Sequence, residues 1–157
     1  MRNYERIDKD WYYLDIAKSV ALRATCLRRK YGAIIVQNDR IVSTGYNGAP
    51  RGRTNCCDTG VCIREQRNVP HGERYELCKS VHAEQNAVIF AGFDKTNGAT
   101  LYLAGIDAKT NEPIDAPDCC MMCKRVLINA GIKNVKFLNG NGTMREIKVQ
   151  TWVNEED

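Results

Sequence analysis

Two short segments, His82-Ala83-Glu84 and Cys120-Met121-Met122-Cys123, constrain this chain more than anything else in it. One imidazole and two thiols are three zinc-type ligands, and they can serve one ion only if two distant segments meet. Both spacings suit the first turn of a helix. Cys120 and Cys123 then share one helix face, with Asp118 or Cys119 as the candidate N-cap. Side chains in a first turn tilt toward the helix N-terminus, so ligands from two helices reach a point beyond both ends. The positive end of the helix dipole lowers thiol pKa there and favours the thiolates that bind metal.

Three protein ligands leave a fourth tetrahedral position for water, which separates a catalytic zinc from a closed structural one. Such a water has its pKa lowered to about 7. Glu84, two residues after His82, is placed to take that proton, protonate a ring nitrogen and help ammonia leave. Taken singly, Glu84 would be a first-turn acid complementing the dipole, and Cys120 and Cys123 a buried helix face. Their coincidence with His82 is poorly explained that way. H-x-E followed by C-x-x-C is the signature of zinc nucleobase deaminases.

Composition narrows the alternatives. A chain of 157 residues with 43% hydrophobic and 27% charged residues is that of one globular domain, taken here as residues 1–157. The net charge of +4 is mild, and the basic run Arg28-Arg29-Lys30 reads as a solvated helix end. No strongly basic face or aromatic platform points to nucleic acid. No stretch is apolar enough for a membrane span, and the start Met1-Arg2-Asn3-Tyr4-Glu5 is not a signal segment. Eight cysteines are then expected in a reducing, cytoplasmic setting, where clustered thiols more often mean metal than disulfide.

Hydrophobic periodicity predicts an amphipathic helix over 11–29, a hairpin of strands over 32–36 and 40–44, and a helix over 82–90 ending at Gly92. A strand over 99–104, a helix over 120–129, a strand over 134–138 and a last strand over 144–153 follow. Residues 51–80 and 105–117 read as long polar loops, the first pinned by metal. This order predicts an α/β domain with helices on both faces of a mixed sheet.

The chain resembles the deoxycytidylate (dCMP) deaminases of the cytidine-deaminase-like superfamily. The likeness is carried by Lys30-Tyr31-Gly32-Ala33-Ile34-Ile35, Ser43-Thr44-Gly45-Tyr46-Asn47-Gly48-Ala49-Pro50, Asn55-Cys56-Cys57-Asp58, His82-Ala83-Glu84-Gln85-Asn86-Ala87 and Ile128-Asn129-Ala130-Gly131-Ile132. It implies a three-layer α/β/α fold, a catalytic Zn2+ on His82, Cys120 and Cys123, and Glu84 as proton shuttle. The implied reaction converts dCMP, a small deoxynucleotide, to dUMP and ammonia, in a homo-oligomer, often a hexamer. Asn47 would meet the sugar and the Ala83 backbone the base. Zinc deamination of another cytosine nucleotide or nucleoside, and a non-catalytic zinc module, are the other readings.

The chain departs from the family pattern twice. Cys119 stands where proline usually precedes the first zinc cysteine, making it a competing ligand to Cys123, and the 105–118 loop is long. In some relatives cysteines matching Cys26 and Cys56 hold a second, structural zinc. Here His71 and Cys78 are the completing candidates, with Cys62 and Cys57 as substitutes. Arg51 and Arg53 are candidates for the substrate phosphate.

Overall fold

The computed structural model describes residues 5–155. Helix α1 (Lys9–Ala21) starts where the Asp8 side chain accepts from Asp10 N at 2.9 Å. It stops eight residues short of the predicted end. Helix propensity continues through residues 22–28, but Arg29, Lys30 and Tyr31 pair with Asp107, Ile106 and Gly105, and that pairing overrides propensity. Strand β1 (Arg29–Gln37) is therefore longer than expected, and it forms the predicted hairpin with β2 (Arg40–Tyr46).

Residues 51–80 are less featureless than their sequence suggests. They hold short helices α2 (Cys56–Thr59) and α3 (Ile63–Gln66) and a 3-10 turn at Tyr75–Leu77. Helix α4 (Ala83–Ala91) begins at its N-cap His82 and ends at Gly92, followed by α5 (Phe93–Thr96). Strand β3 (Thr100–Asp107) outruns its predicted end. Beyond it the chain folds back, so that Asp107 N donates to Glu112 O and Ile114 N to Gly105 O. Helix α6 (Met121–Asn129) and strand β4 (Asn134–Leu138) match expectation. The final segment does not. Only β5 (Met144–Lys148) is strand, and α7 (Val149–Asn154) turns helical because Val149 and Trp152, three apart, both land on the core.

The sheet order is β2-β1-β3-β4-β5, with β3 and β4 parallel and the other neighbours antiparallel. Alternation splits the core into two layers. Ile34, Tyr102 and Ala104 face Tyr13, Leu14 and Ala17 of α1. Ala33, Ile35, Leu101, Leu103, Val135 and Phe137 face the opposite side, against Ala83 and Ala87 of α4, Cys123 and Leu127 of α6, and Trp152 of α7. This is the predicted α/β/α sandwich with helices on both faces. Two strand glycines permit the close approach: a Cβ at Gly32 would strike the α1 backbone at Ala17 and Ala21, and one at Gly45 the α4 backbone at Ala83 and Ala87.

Candidate active site

The N-termini of α4 and α6 converge on one point. His82 caps α4, and its backbone N–H is satisfied by Gln85 Oε1 at 2.9 Å. Cys120, not Asp118 or Cys119, caps α6, its sulfur accepting from Cys123 N at 3.4 Å. Asp118 is diverted, because its Oδ1 accepts from Cys119 N at 2.8 Å. His82 Nδ1 lies 3.5 Å from Cys120 Sγ and 3.3 Å from Cys123 Sγ. A tetrahedral zinc with ordinary Zn–N and Zn–S bonds separates nitrogen and sulfur ligands by about 3.5 Å, so the trio fits that ion without rearrangement. Among the described residues it is the one group of three or more His, Cys, Asp or Glu ligand atoms lying within 4.8 Å of one another.

The electrostatics suit a thiolate site. The Cys120 thiol is pulled down to about 4, first by its hydrogen bond with Cys123 and then by His82. Cys123 is pushed up by the same partnership and by burial. A metal ion held by the pair would displace the thiol protons and keep both sulfurs as thiolates. Glu84 is 4% exposed, and burial drives its carboxyl above the ordinary carboxylate range. Cys119, 3% exposed, is outside the ligand trio, and burial pushes its thiol well above its ordinary value.

A cavity of about 330 Å³ opens over this centre. Asn47 and Ala83, the residues assigned above to sugar and base, both line it. Asn47 is also the tether of β1: its Oδ1 accepts from Tyr31 N at 2.8 Å and its Nδ2 donates to Arg29 O at 3.1 Å. The basic lining is not the predicted one. Arg28, Arg29 and Arg64 face the cavity, whereas Arg51 stacks over Phe90 and Arg53 is exposed; neither lines it. The run Arg28-Arg29-Lys30 is no helix end: Arg29 and Lys30 open β1, and their adjacency to Tyr31-Gly32 was the available signal. Arg64 gave none. It is 7% exposed, donates to Glu73 O from Nε at 3.1 Å and from Nη2 at 2.8 Å, and lies 4.6 Å over the Tyr75 ring. Tyr75 in turn meets His82 edge-on at 5.7 Å.

The expected second metal set is not gathered in this way. Cys26, Cys56, His71 and Cys78 form no ligand group, nor do the substitutes Cys57 and Cys62 complete one. His71 Nδ1 instead sits 3.5 Å from Arg28 Nη2, and Cys26 Sγ accepts from Arg28 N at 3.4 Å. The 51–80 loop is pinned by protein contacts: Cys57 N donates to Thr25 O, Gly48 bridges Val81, and Arg64 ties Glu73.

A histidine and two cysteines beside a buried glutamate, at two helix ends of an α/β/α sandwich, are a group that could hold a zinc ion with an acid beside it. The chain belongs to the cytidine and deoxycytidylate deaminase zinc-binding family, whose model matches residues 7–139. A deoxycytidylate deaminase of Mycobacterium phage D29 is 36% identical, over 84% of this chain and 95% of the relative. One from Schizosaccharomyces pombe is 33% identical over 86% of this chain, which spans only 39% of that relative's length. The crystal structure of dCMP deaminase from cyanophage S-TIM5 in complex with dCMP and dUMP has a TM-score of 0.55 and 26% identity, covering 84% of this chain and 82% of that one. None of the described helices is long and apolar enough to cross a membrane.

Proposed function

We propose that the protein hydrolyses dCMP to dUMP and ammonia. The observation that carries this reading is one cavity lined by His82, Cys120 and the buried Glu84 and also by Arg28, Arg29 and Arg64. Zinc on His82, Cys120 and Cys123 supplies, when bound, a Lewis acid that activates water at neutral pH. Glu84 would take one proton from the attacking water and deliver it to the cytosine ring nitrogen, then take the second from the added hydroxyl and deliver it to the departing amine. Its burial suits a carboxyl that must hold a proton near pH 7. The net change replaces the amino group on the ring by oxygen from water and releases ammonia. Asn47 and the Ala83 backbone are assigned to sugar and base.

The arginines favour a nucleotide over a nucleoside. Arg28 is paired with Glu65 at 3.2 Å, while Arg29 and Arg64 form no ion pair among the described residues. Two guanidinium groups without a carboxylate partner, Arg64 held in place by its bonds to Glu73 O, match a phosphate monoester carrying roughly two negative charges. The reading extends to a homo-oligomer, supported by Ile89, Phe90 and Phe93, which are 67%, 53% and 61% exposed side by side on α4 and α5. It places the chain in the reducing cytoplasm, consistent with eight free thiols.

The test is a substrate panel on purified, zinc-quantified protein. Ammonia is expected from dCMP and little from cytidine. Comparable turnover of the two would defeat the nucleotide assignment. A zinc-loaded protein inert toward every cytosine compound would favour an interaction module instead.

A further inference from the structure

One wall of the cavity is held by side chains rather than by backbone ladders. Ala116, Pro117 and Asp118 line the cavity, yet residues 115–118 make no backbone–backbone hydrogen bond among the described residues. The last such tie before them is Ile114 N to Gly105 O at 3.0 Å. Ala116 has a φ of 41°, a left-handed conformation that a residue with a Cβ keeps only where its surroundings impose it. The constraint comes from β5 and the turn before it. The Arg145 guanidinium lies 4.3 Å over the buried Phe137 ring, and its Nη2 donates to Pro117 O at 2.6 Å and sits 3.7 Å from Asp118 Oδ1. Lys124 of α6 meets Asp118 Oδ2 at 3.5 Å. Gly140 leaves room for Asp115, since an added Cβ would strike both its carboxylate and its backbone N. Arg145 Nε is buried and has no hydrogen-bond partner among the described residues. An orphaned donor subtracts from stability, so this arginine suits a purely stabilising role poorly.

We propose that Arg145, outside residues 7–139 of the family match, is a positioning residue for substrate binding, its guanidinium holding the 116–118 wall of the cavity in place. Arg145 does not itself line the cavity and is not one of the clustered ligands. Pro117 is fully buried, so freeing its carbonyl lets the wall shift instead of merely costing a surface contact. The loss is felt in KM rather than in kcat, because the ligand-bearing helix ends keep their own anchors. This inference rests on the reading of the cavity as the substrate site, and one of its two tests does not require turnover.

The first test compares two variants in zinc-quantified protein. Arg145→Met keeps an unbranched stem over Phe137 but no donor, whereas Arg145→Lys keeps a charged donor. Arg145→Met should raise KM for dCMP about five- to tenfold, the size expected of one lost hydrogen bond, with kcat and zinc content nearly unchanged. Arg145→Lys should recover most of that loss. An unchanged KM in Arg145→Met would overturn the proposal, and so would a loss confined to kcat or equal losses in the two variants. The second test reads the wall without substrate, by alkylation with iodoacetamide and mass spectrometry. Cys119, 3% exposed, adjoins the wall, and Cys56, 7% exposed on α2, serves as the internal control. Cys119 should label about tenfold faster in Arg145→Met than in wild type, with Cys56 unchanged. Equal acceleration at both thiols would mean general loosening. That result, or no acceleration at Cys119, overturns the proposal even if dCMP proves not to be the substrate.

Discussion

Gly45 of β2 lies directly against Ala87 of α4, with no room for a side chain: an added Cβ would come 2.5 Å from the Ala87 N. The same Cβ would meet the carbonyl oxygen of Ala83, in the turn that carries Glu84. Gly45→Ala should cost about 1–3 kcal/mol of stability through overpacking. It should also lower turnover, because α4 can relieve the clash only by moving His82 and Glu84. Thermal unfolding and kcat measured together check this; an active, equally stable variant would refute it.

Glu84→Gln keeps the shape of the buried side chain but cannot cycle a proton. Turnover of dCMP should fall about 10²–10⁴-fold, the usual share of a general acid–base group, with zinc content unchanged. Parallel loss of zinc would mean that Glu84 supports the ligands rather than the chemistry.

Removing one of the two arginines that lack a carboxylate partner should separate nucleotide from nucleoside. Arg29→Gln is expected to raise KM for dCMP about tenfold or more, as for a charge-assisted bond, with no matching change for cytidine. Arg64→Gln should do the same and also loosen the 70–75 segment through the lost bonds to Glu73 O. That loosening is readable as faster proteolysis. A KM for dCMP indifferent to both changes would move the phosphate elsewhere.

Asp10 provides a stability prediction with a pH signature. Its Oδ1 accepts from Tyr102 at 2.6 Å and its Oδ2 from Lys136 at 2.8 Å, linking α1 to the central strands. Burial alone would raise its pKa, but the bonds from Lys136 and Tyr102 outweigh burial and hold it below the ordinary value. A depressed folded-state pKa gives stability that is complete above the unfolded value, about 4, and drains away as pH falls below it. Asp10→Asn should therefore cost roughly 1–3 kcal/mol near neutrality, and the gap from wild type should narrow below about pH 4. Denaturant melts at pH 7 and pH 3 decide it.

One zinc per chain is expected, and Cys56→Ser should retain it together with dCMP turnover, because the thiols around Cys56 do not assemble a ligand group. A stoichiometry of two zinc ions that falls to one in Cys56→Ser would restore the structural site.

What could be seen in the sequence depended on how local its cause was. His82, Glu84, Cys120 and Cys123 were visible because ligand chemistry forces residue type and helical geometry forces spacing. The sheet and its covering helices followed from alternation in β1, β3 and β4. The shortened α1 was not visible, since its end is set by Arg29 to Tyr31 pairing with a strand far along the chain. The helix at Val149–Asn154 was lost to a period ambiguity that burial of Val149 and Trp152 resolves. Arg64 was hidden for another reason. It lies in a segment without periodicity, and only the folded loop turns it toward the cavity.

Both ligand segments sit at helix caps anchored to the sandwich, whereas Arg64, Tyr75, Ala116 and Pro117 around the opening come from the two irregular stretches. Reaction and selectivity are thus drawn from separable parts of the chain. On the proposed function, changes in those connections would alter which nucleotide is admitted, while the ligand-bearing helix ends beneath keep their alignment.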